Sequence, residues 1–416
     1  MGAGTSKASA SKKSGPSQDT TGRLLSYRRR ALAVLSVGIV FMHVSGCDGR
    51  AADVTNSPHP SGFTTTAPVV LDGRKPDFTD AHGNRFVWVQ RASYVQAPVE
   101  APVEGMPSDS PPAVQDPYAL ADAMRPRLLK DGHEYILAES DLAMAQQILS
   151  GFKAPQTRGY RGPTPDIAST DASALDVRQS AYIVGSDDRY DVGCGNTALY
   201  PARVSGLISG PSYCTGTLIG VHTVATAAHC IYSNGWLSGG PVVYSPGYYG
   251  DPICPTYGPA GQYVANWIVI PNGFRNWNDT PEFDYAAIDL SQYYPPPGAY
   301  TGWAGVVADI NPTRSMMFFG YGPRPSPLPP FVMLSRAGTI DLTASNSYDW
   351  WHNLDTVQGD SGAGLLDFNW GDGYPYLMGI QSGEKYWWFL WWQYENTARK
   401  WDGQTYTFFH TYGNWP

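Results

Sequence analysis

Charge is scarce in this 416-residue chain: Asp, Glu, Lys and Arg make up 15% of it, against about a quarter of a typical soluble domain. That deficit excludes a coiled coil, a charge-rich disordered chain and a set of long salt-bridged helices. Long apolar runs are also missing. None reaches the roughly 18 to 20 residues that a membrane-spanning helix needs, which excludes a protein with several such spans. Cysteine is limited to five residues, and no two of Cys194, Cys214, Cys230 and Cys254 stand two to four positions apart, so they do not have the usual spacing of a zinc site. No metal or cofactor motif is visible. What the chain has in plenty is Gly (45) and Pro (35), residues that interrupt elements and mark turns. A β-rich protein fits these constraints.

The formal net charge is −8, but the first 46 residues hold seven Lys or Arg against one Asp, so residues 47–416 carry −14. An acidic chain of this kind is a poor ligand for nucleic acid phosphates, and no nucleic acid partner is expected. Arg28, Arg29 and Arg30 precede the apolar run Ala31 to Val44, a charged segment followed by about 14 apolar residues, as in an export signal. The run ends in Val44-Ser45-Gly46-Cys47, which resembles the bacterial lipobox. That resemblance implies acylation of Cys47 and a membrane anchor. An ordinary signal peptide with an unrelated cysteine beyond it is the alternative, and Arg28-Arg29 also loosely fits a twin-arginine signal. Each route leads to an oxidising compartment, where the four remaining cysteines can form two disulfides in any of three connectivities.

Trp88 is the single Trp before residue 183, and the other 13 follow it. Large aromatics build cores, so the packed domain is expected at 183–416. Residues 47–116 are rich in Pro, Ser and Thr and carry the tandem repeat Ala97-Pro98-Val99-Glu100 and Ala101-Pro102-Val103-Glu104, the composition of an extended tether. Residues 117–182 read as a pro-region. Within it Leu142, Ala145, Ile148 and Leu149 recur at helical spacing behind Glu139, Ser140 and Asp141, either a short helix or a marginal amphipathic stretch. From 183 onward short β-like runs are separated by turn residues: Val204 to Ile208, Thr215 to Ile219, Thr223 to Ala227, Val264 to Ile270, Ala286 to Leu290, Met316 to Gly320 and Tyr376 to Gln381. This spacing predicts a sandwich or barrels. Pro295-Pro296-Pro297-Gly298 cannot join a central strand and reads as a linker between two halves.

Residues 359–362 read Gly-Asp-Ser-Gly. Upstream lie Cys214-Thr215-Gly216-Thr217-Leu218-Ile219-Gly220, Thr223-Val224-Ala225-Thr226-Ala227-Ala228-His229-Cys230 and Asp284-Tyr285-Ala286-Ala287-Ile288-Asp289-Leu290. Together these motifs resemble the chymotrypsin-like (trypsin-fold) serine proteases over residues 183–405. Within that family Ile183-Val184-Gly185-Ser186-Asp187-Asp188-Arg189 and the segment from Val224 to Tyr232 look most like the bacterial glutamyl endopeptidase branch. The resemblance implies an all-β fold of two six-stranded antiparallel barrels with the active site between them, and protein or peptide substrates. It implies His229 as general base, Asp284 as its orienting acid and Ser361 as nucleophile, with the N–H groups of Gly359 and Ser361 as the oxyanion hole. It further implies a Cys214–Cys230 disulfide, which leaves Cys194 and Cys254 for each other.

In the trypsin-type zymogen switch a new N-terminal Ile-Val-Gly pairs with the Asp before the nucleophile. Ile183-Val184-Gly185 and Asp360 supply both halves here, so cleavage after Tyr182 is expected to activate the enzyme. The glutamyl branch usually lacks that Asp. For specificity, Asp355 matches the pocket-bottom carboxylate that favours Lys or Arg, while Asp355-Thr356 also looks like some glutamyl endopeptidases. Those rely on a His in the later strand, where this chain has Gln381, with Glu384 near the rim. A basic or uncharged P1 residue is the expectation.

Other readings of these residues are testable from the sequence. Asp289 competes with Asp284 for the acid, and His222, His352 and His410 lack the motif around His229. An α/β-hydrolase elbow needs Gly-x-Ser-x-Gly and the order Ser, Asp, His, whereas position 363 is Ala and His229 and Asp284 precede Ser361. A non-catalytic binding module could use Trp387, Trp388, Trp391 and Trp392 as an aromatic platform, but such a module is expected to lack triad members.

Overall fold

The computed structural model describes residues 75–96, 114–163, 187–250, 261–276, 279–308, 315–323, 331–341, 345, 347–368, 370–389, 391–413 and 415, the last strands partly by backbone alone. All of them fall in one compact unit, Val70–Pro416. The fold is mostly β. No described helix is long and apolar enough to cross a membrane.

Most strands after residue 183 form where the hydrophobic runs predicted them. Ser205–Ser209, Cys214–Leu218, Thr223–Thr226, Trp267–Pro271 and Ala286–Asp289 belong to an antiparallel sheet of 11 strands. They are buried along nearly their whole lengths, which is why they read as continuous apolar runs rather than alternating ones.

The second sheet closes on itself. Its order runs Tyr376–Phe389, Gly364–Asp367, Ser315–Gly320, Leu334–Asp341, Asp349–His352 and Trp391–Lys400, and the last strand pairs back onto the first. Six strands therefore make one closed antiparallel barrel, in which no edge of the ring is left unpaired. The Pro295–Gly298 segment lies between the two sheets in sequence, and Gly298–Thr301 forms a single helical turn behind it.

The N-terminal part differs from the sequence expectation. Residues 47–116 were predicted to be spacer, yet Phe78–Thr79, Arg85–Arg91 and Tyr94–Gln96 are strands. The reason is local: Phe86 is fully buried, Phe78 stacks on it at 5.3 Å, and Tyr135 meets Phe78 edge-on at 5.1 Å. Aromatic pairs of this kind reward the extended conformation.

Pro126–Lys130 and His133–Leu137 form a hairpin, and Pro126–Lys130 adds to the edge of Trp267–Pro271. The 11-stranded sheet thus continues from the second half of the chain into the first. Helices Pro117–Met124 and Leu142–Leu149 flank it; Asp116 and Asp141 cap them by accepting the N–H groups of Ala119 and Met144. Leu120, Met124, Leu128 and Ala145 share one hydrophobic core with Val224, Ile268 and Phe409. The N-terminal segment is therefore built into the same packed unit.

Candidate active site

The pairing of two strands brings the first two candidate residues together. Thr226 lies opposite Ala286 in the antiparallel pair, so the chain leaving Thr226 and the chain entering Ala286 stand side by side. A short 3₁₀ turn, Ala228–Cys230, then presents His229, and another, Pro281–Phe283, ends at Asp284. Asp284 is fully buried. Its Oδ1 accepts the backbone N–H of His229 at 2.9 Å and its Oδ2 faces His229 Nδ1 at 2.8 Å. A ring held at both its backbone and Nδ1 has one orientation, with Nδ1 carrying the proton toward the carboxylate.

A third donor completes this carboxylate. Ser382 Oγ hydrogen-bonds Asp284 Oδ2. Ser382 belongs to no motif in the sequence; its only signal is a polar residue following the β-like stretch Tyr376 to Gln381.

Ser361 sits in the turn between strands Asp349–His352 and Gly364–Asp367. Gly359, two residues before it, has φ +99°, a conformation that a side chain strongly disfavours. The turn is fixed from the first sheet: Thr215 N donates to Ser361 O at 2.8 Å, and Thr215 Oγ1 donates to Gly359 O at 2.8 Å. Gly362 N and Gln381 O are bonded at 2.7 Å, and Gln381 N and Ala363 O at 2.8 Å. Against this dense pattern, the N–H groups of Gly359 and Ser361 donate to no atom among the described residues. Both residues line a cleft of about 320 Å³ together with His229, Leu237, Tyr321 and Phe331. No described residue before 187 lines it.

The Cys214–Cys230 disulfide is present and lies beside His229. Closing a loop of this size contributes roughly 3 kcal/mol in the chain-entropy model. Sγ of both cysteines and a ring nitrogen of His229 lie within 4.8 Å of one another, but sulfurs bonded to each other offer no thiolate to a metal. Cys194 is disulfide-bonded, while Cys254 lies outside the described residues, as do Cys47 and Ile183.

Of the expected specificity residues, Asp355, Thr356 and Gln381 are buried and hydrogen-bonded to other residues of the chain. Asp355 is fully buried, and its Oδ2 accepts the N–H of Asp188 at 3.1 Å with Arg336 Nε at 3.9 Å. Arg336 also pairs with Asp188. The Asp355 carboxylate is therefore already engaged. Gln381 Oε1 lies 2.8 Å from His352 Nε2, and Gln381 Nε2 donates to Thr356 Oγ1 at 3.2 Å. Burial pushes the fully enclosed His352 down to about 4, so its ring is neutral and donates through Nε2. His352 was not singled out by the sequence, because it lies outside any motif. The side chains of Glu384, Trp387, Trp388, Trp391 and Trp392 lie outside the described residues.

Asp360, expected to await the Ile183 ammonium, is met by Arg189, whose Nη1 lies 3.2 Å from Asp360 Oδ2. Asp289 is buried away from the cleft beside His222, accepting from Asn266 Nδ2 at 2.9 Å and Ser291 Oγ at 2.6 Å. It is no rival to Asp284.

The mostly β fold thus brings His229 and Ser361 to one cleft, with Asp284 buried behind the His229 ring. Residues 194–295 match the family model described as trypsin, a stretch that contains His229 and Asp284. Among curated proteins it is 34% identical over 188 residues to a glutamyl endopeptidase of Bacillus licheniformis, covering 44% of this chain and 54% of that one. It is 33% identical over 138 residues to an extracellular metalloprotease of Bacillus subtilis, covering 32% and 41%. The chain thus spans about half the length of the curated relatives it matches. A solved structure of a Glu endopeptidase in complex with MPD aligns with a TM-score of 0.45 at 20% identity, over 56% of this chain and 99% of that one.

Proposed function

We infer that the protein is an exported serine endopeptidase that cleaves peptide bonds of protein substrates through Ser361, His229 and Asp284. The observation that carries this reading is the His229 ring fixed against buried Asp284, with His229, Gly359 and Ser361 lining one cleft and the N–H groups of Gly359 and Ser361 donating to no atom among the described residues. His229 takes the Ser361 proton as the hydroxyl attacks the scissile carbonyl, and returns it to the leaving amine. Asp284 holds the ring and stabilises the imidazolium. The N–H groups of Gly359 and Ser361 receive the oxyanion, each worth roughly 3 to 4 kcal/mol in the transition state. The two sheets correspond in this reading to the two barrels of the class, and the signal segment with Cys47 to export and a lipid anchor.

The substrate preference is for an uncharged P1 residue. Asp355 is engaged by the Asp188 N–H and Arg336, so it does not offer a free anion to Lys or Arg. Neutral Gln381 stands where the glutamyl branch would place a histidine. Incubating a denatured protein with the purified enzyme and mapping cleavage sites by mass spectrometry tests both statements. Cleavage abolished by Ser361→Ala supports the reading; cleavage that persists in that variant overturns it.

A further inference from the structure

Asp360, next to the candidate nucleophile, is fully buried, and three donors meet its carboxylate. Gly322 N donates to Oδ1 at 2.7 Å, Val357 N to Oδ2 at 2.9 Å, and Arg189 Nη1 to Oδ2 at 3.2 Å. The Arg189 side chain is 1% exposed. Its other edge is clamped by Asp187, with Nε to Oδ1 at 3.1 Å and Nη2 to Oδ2 at 3.0 Å. A charge this deep persists only when paired and hydrogen-bonded, and the planar fork of Arg lets one side chain serve two carboxylates in fixed geometry. Room for the pair is reserved at Gly322, where a Cβ would come within 2.9 Å of both Arg189 Nη1 and Asp360 Oδ1.

In the intact 416-residue chain the nitrogen of Ile183 is a peptide nitrogen and carries no charge. Asp360 is nevertheless paired, and Gly359 and Ser361 already line the cleft. We propose that Arg189 is a built-in counter-ion that holds the nucleophile turn in its oxyanion-binding shape, so that catalysis needs no ammonium released at Ile183. This rests on the serine endopeptidase reading. Arg189 acts through Asp360 and is a positioning residue. The intact precursor is then competent, and a cut after Tyr182 is not needed for catalysis, the strand Pro126–Lys130 remaining paired to Trp267–Pro271.

The test compares kcat and KM of the full chain, and of its Arg189→Met and Arg189→Lys variants, on a chromogenic peptide ester from pH 6 to 11. Intact mass and melting temperature are recorded for each sample. Arg189→Met is expected to lower kcat about 100-fold, the scale of one oxyanion donor, with KM nearly unchanged. Arg189→Lys restores most of kcat at neutral pH and loses it again as its ammonium deprotonates around pH 10. The wild type stays flat there, because a guanidinium does not titrate in this range. The groups facing Arg189 are Asp187 and Asp360, with Asp188, Asp355 and Arg336 next along.

The proposal is overturned if the intact chain is inactive until cut before Ile183, or if wild-type kcat falls near pH 8 to 9 as an α-ammonium would. It is also overturned if folded Arg189→Met keeps its kcat. The intact-chain and wild-type pH measurements decide the matter even if Arg189→Met does not fold. Absence of any hydrolysis by the wild type, with no fluorophosphonate attached to Ser361, would instead remove the endopeptidase reading itself.

Discussion

The hydroxyl of Thr215 donates to the carbonyl oxygen of Gly359 at 2.8 Å and accepts the N–H of Tyr321 at 3.1 Å, all three residues being buried. One side chain of the 11-stranded sheet therefore spans to the nucleophile turn beside the closed barrel. Thr215→Val keeps the shape and removes both bonds, leaving a buried carbonyl and a buried N–H unsatisfied. The expected cost is about 1–3 kcal/mol of stability, with kcat reduced more than KM is raised because the turn carries the proposed oxyanion donors. Thr215→Ser should restore both. Chemical denaturation with parallel steady-state kinetics checks this.

Asp284 is expected to matter through the orientation of His229. Asp284→Asn leaves the ring packed but offers an amide where Nδ1–H needs an acceptor, and kcat should fall on the order of 10⁴-fold. Ser382→Ala should have a much smaller effect, since His229 still makes two contacts with the carboxylate. Equal losses in the two variants would contradict the assignment.

His352 supplies a pH dependence. Its folded value is depressed to about 4 by burial, whereas the unfolded chain binds that proton at about 6.5. Between these values the unfolded state holds more protons, so stability rises with pH through this window and is complete above it. Falling from pH 7 to pH 4 should cost about 3 kcal/mol from this residue alone. His352→Gln should flatten that portion of the melting-temperature profile, and an unchanged slope would contradict the neutral buried imidazole.

The N-terminal segment should prove integral to the fold. Arg127 pairs with Glu134 at 3.0 Å and donates to Tyr232 OH at 3.0 Å and Asn272 Oδ1 at 2.9 Å. Arg127→Met leaves Glu134, 4% exposed, without its cation, for an expected loss of roughly 3 kcal/mol. A chain truncated before Tyr190 would bare the edge of Trp267–Pro271 and is expected to aggregate or melt well below the full chain.

The contrast between legible and hidden features follows from how each residue earns its place. Strands such as Thr223–Thr226 and Ala286–Asp289 are buried on both faces, so apolar runs announce them, and the residues flanking them carried His229 and Asp284. Strands Leu334–Asp341 and Trp391–Lys400 interleave Ser, Arg, Thr, Asn and Glu, because closing the ring depends on backbone pairing that composition does not encode. Arg85–Arg91 was hidden by the proline-rich composition around it. Thr215, Ser382 and Arg189 act through single hydrogen bonds between segments far apart in sequence, and nothing in their local sequence marks such a contact. Asp360 stood out through its motif, whereas Arg189, which meets its carboxylate, has none of its own.

The most direct measurement is covalent labelling of the folded full chain with a fluorophosphonate, followed by peptide mapping. An activated serine beside His229 predicts one phosphonylated residue, Ser361, with labelling lost in Ser361→Ala and strongly slowed in His229→Ala. No adduct on the folded chain, or an adduct on another residue that survives Ser361→Ala, would contradict the account.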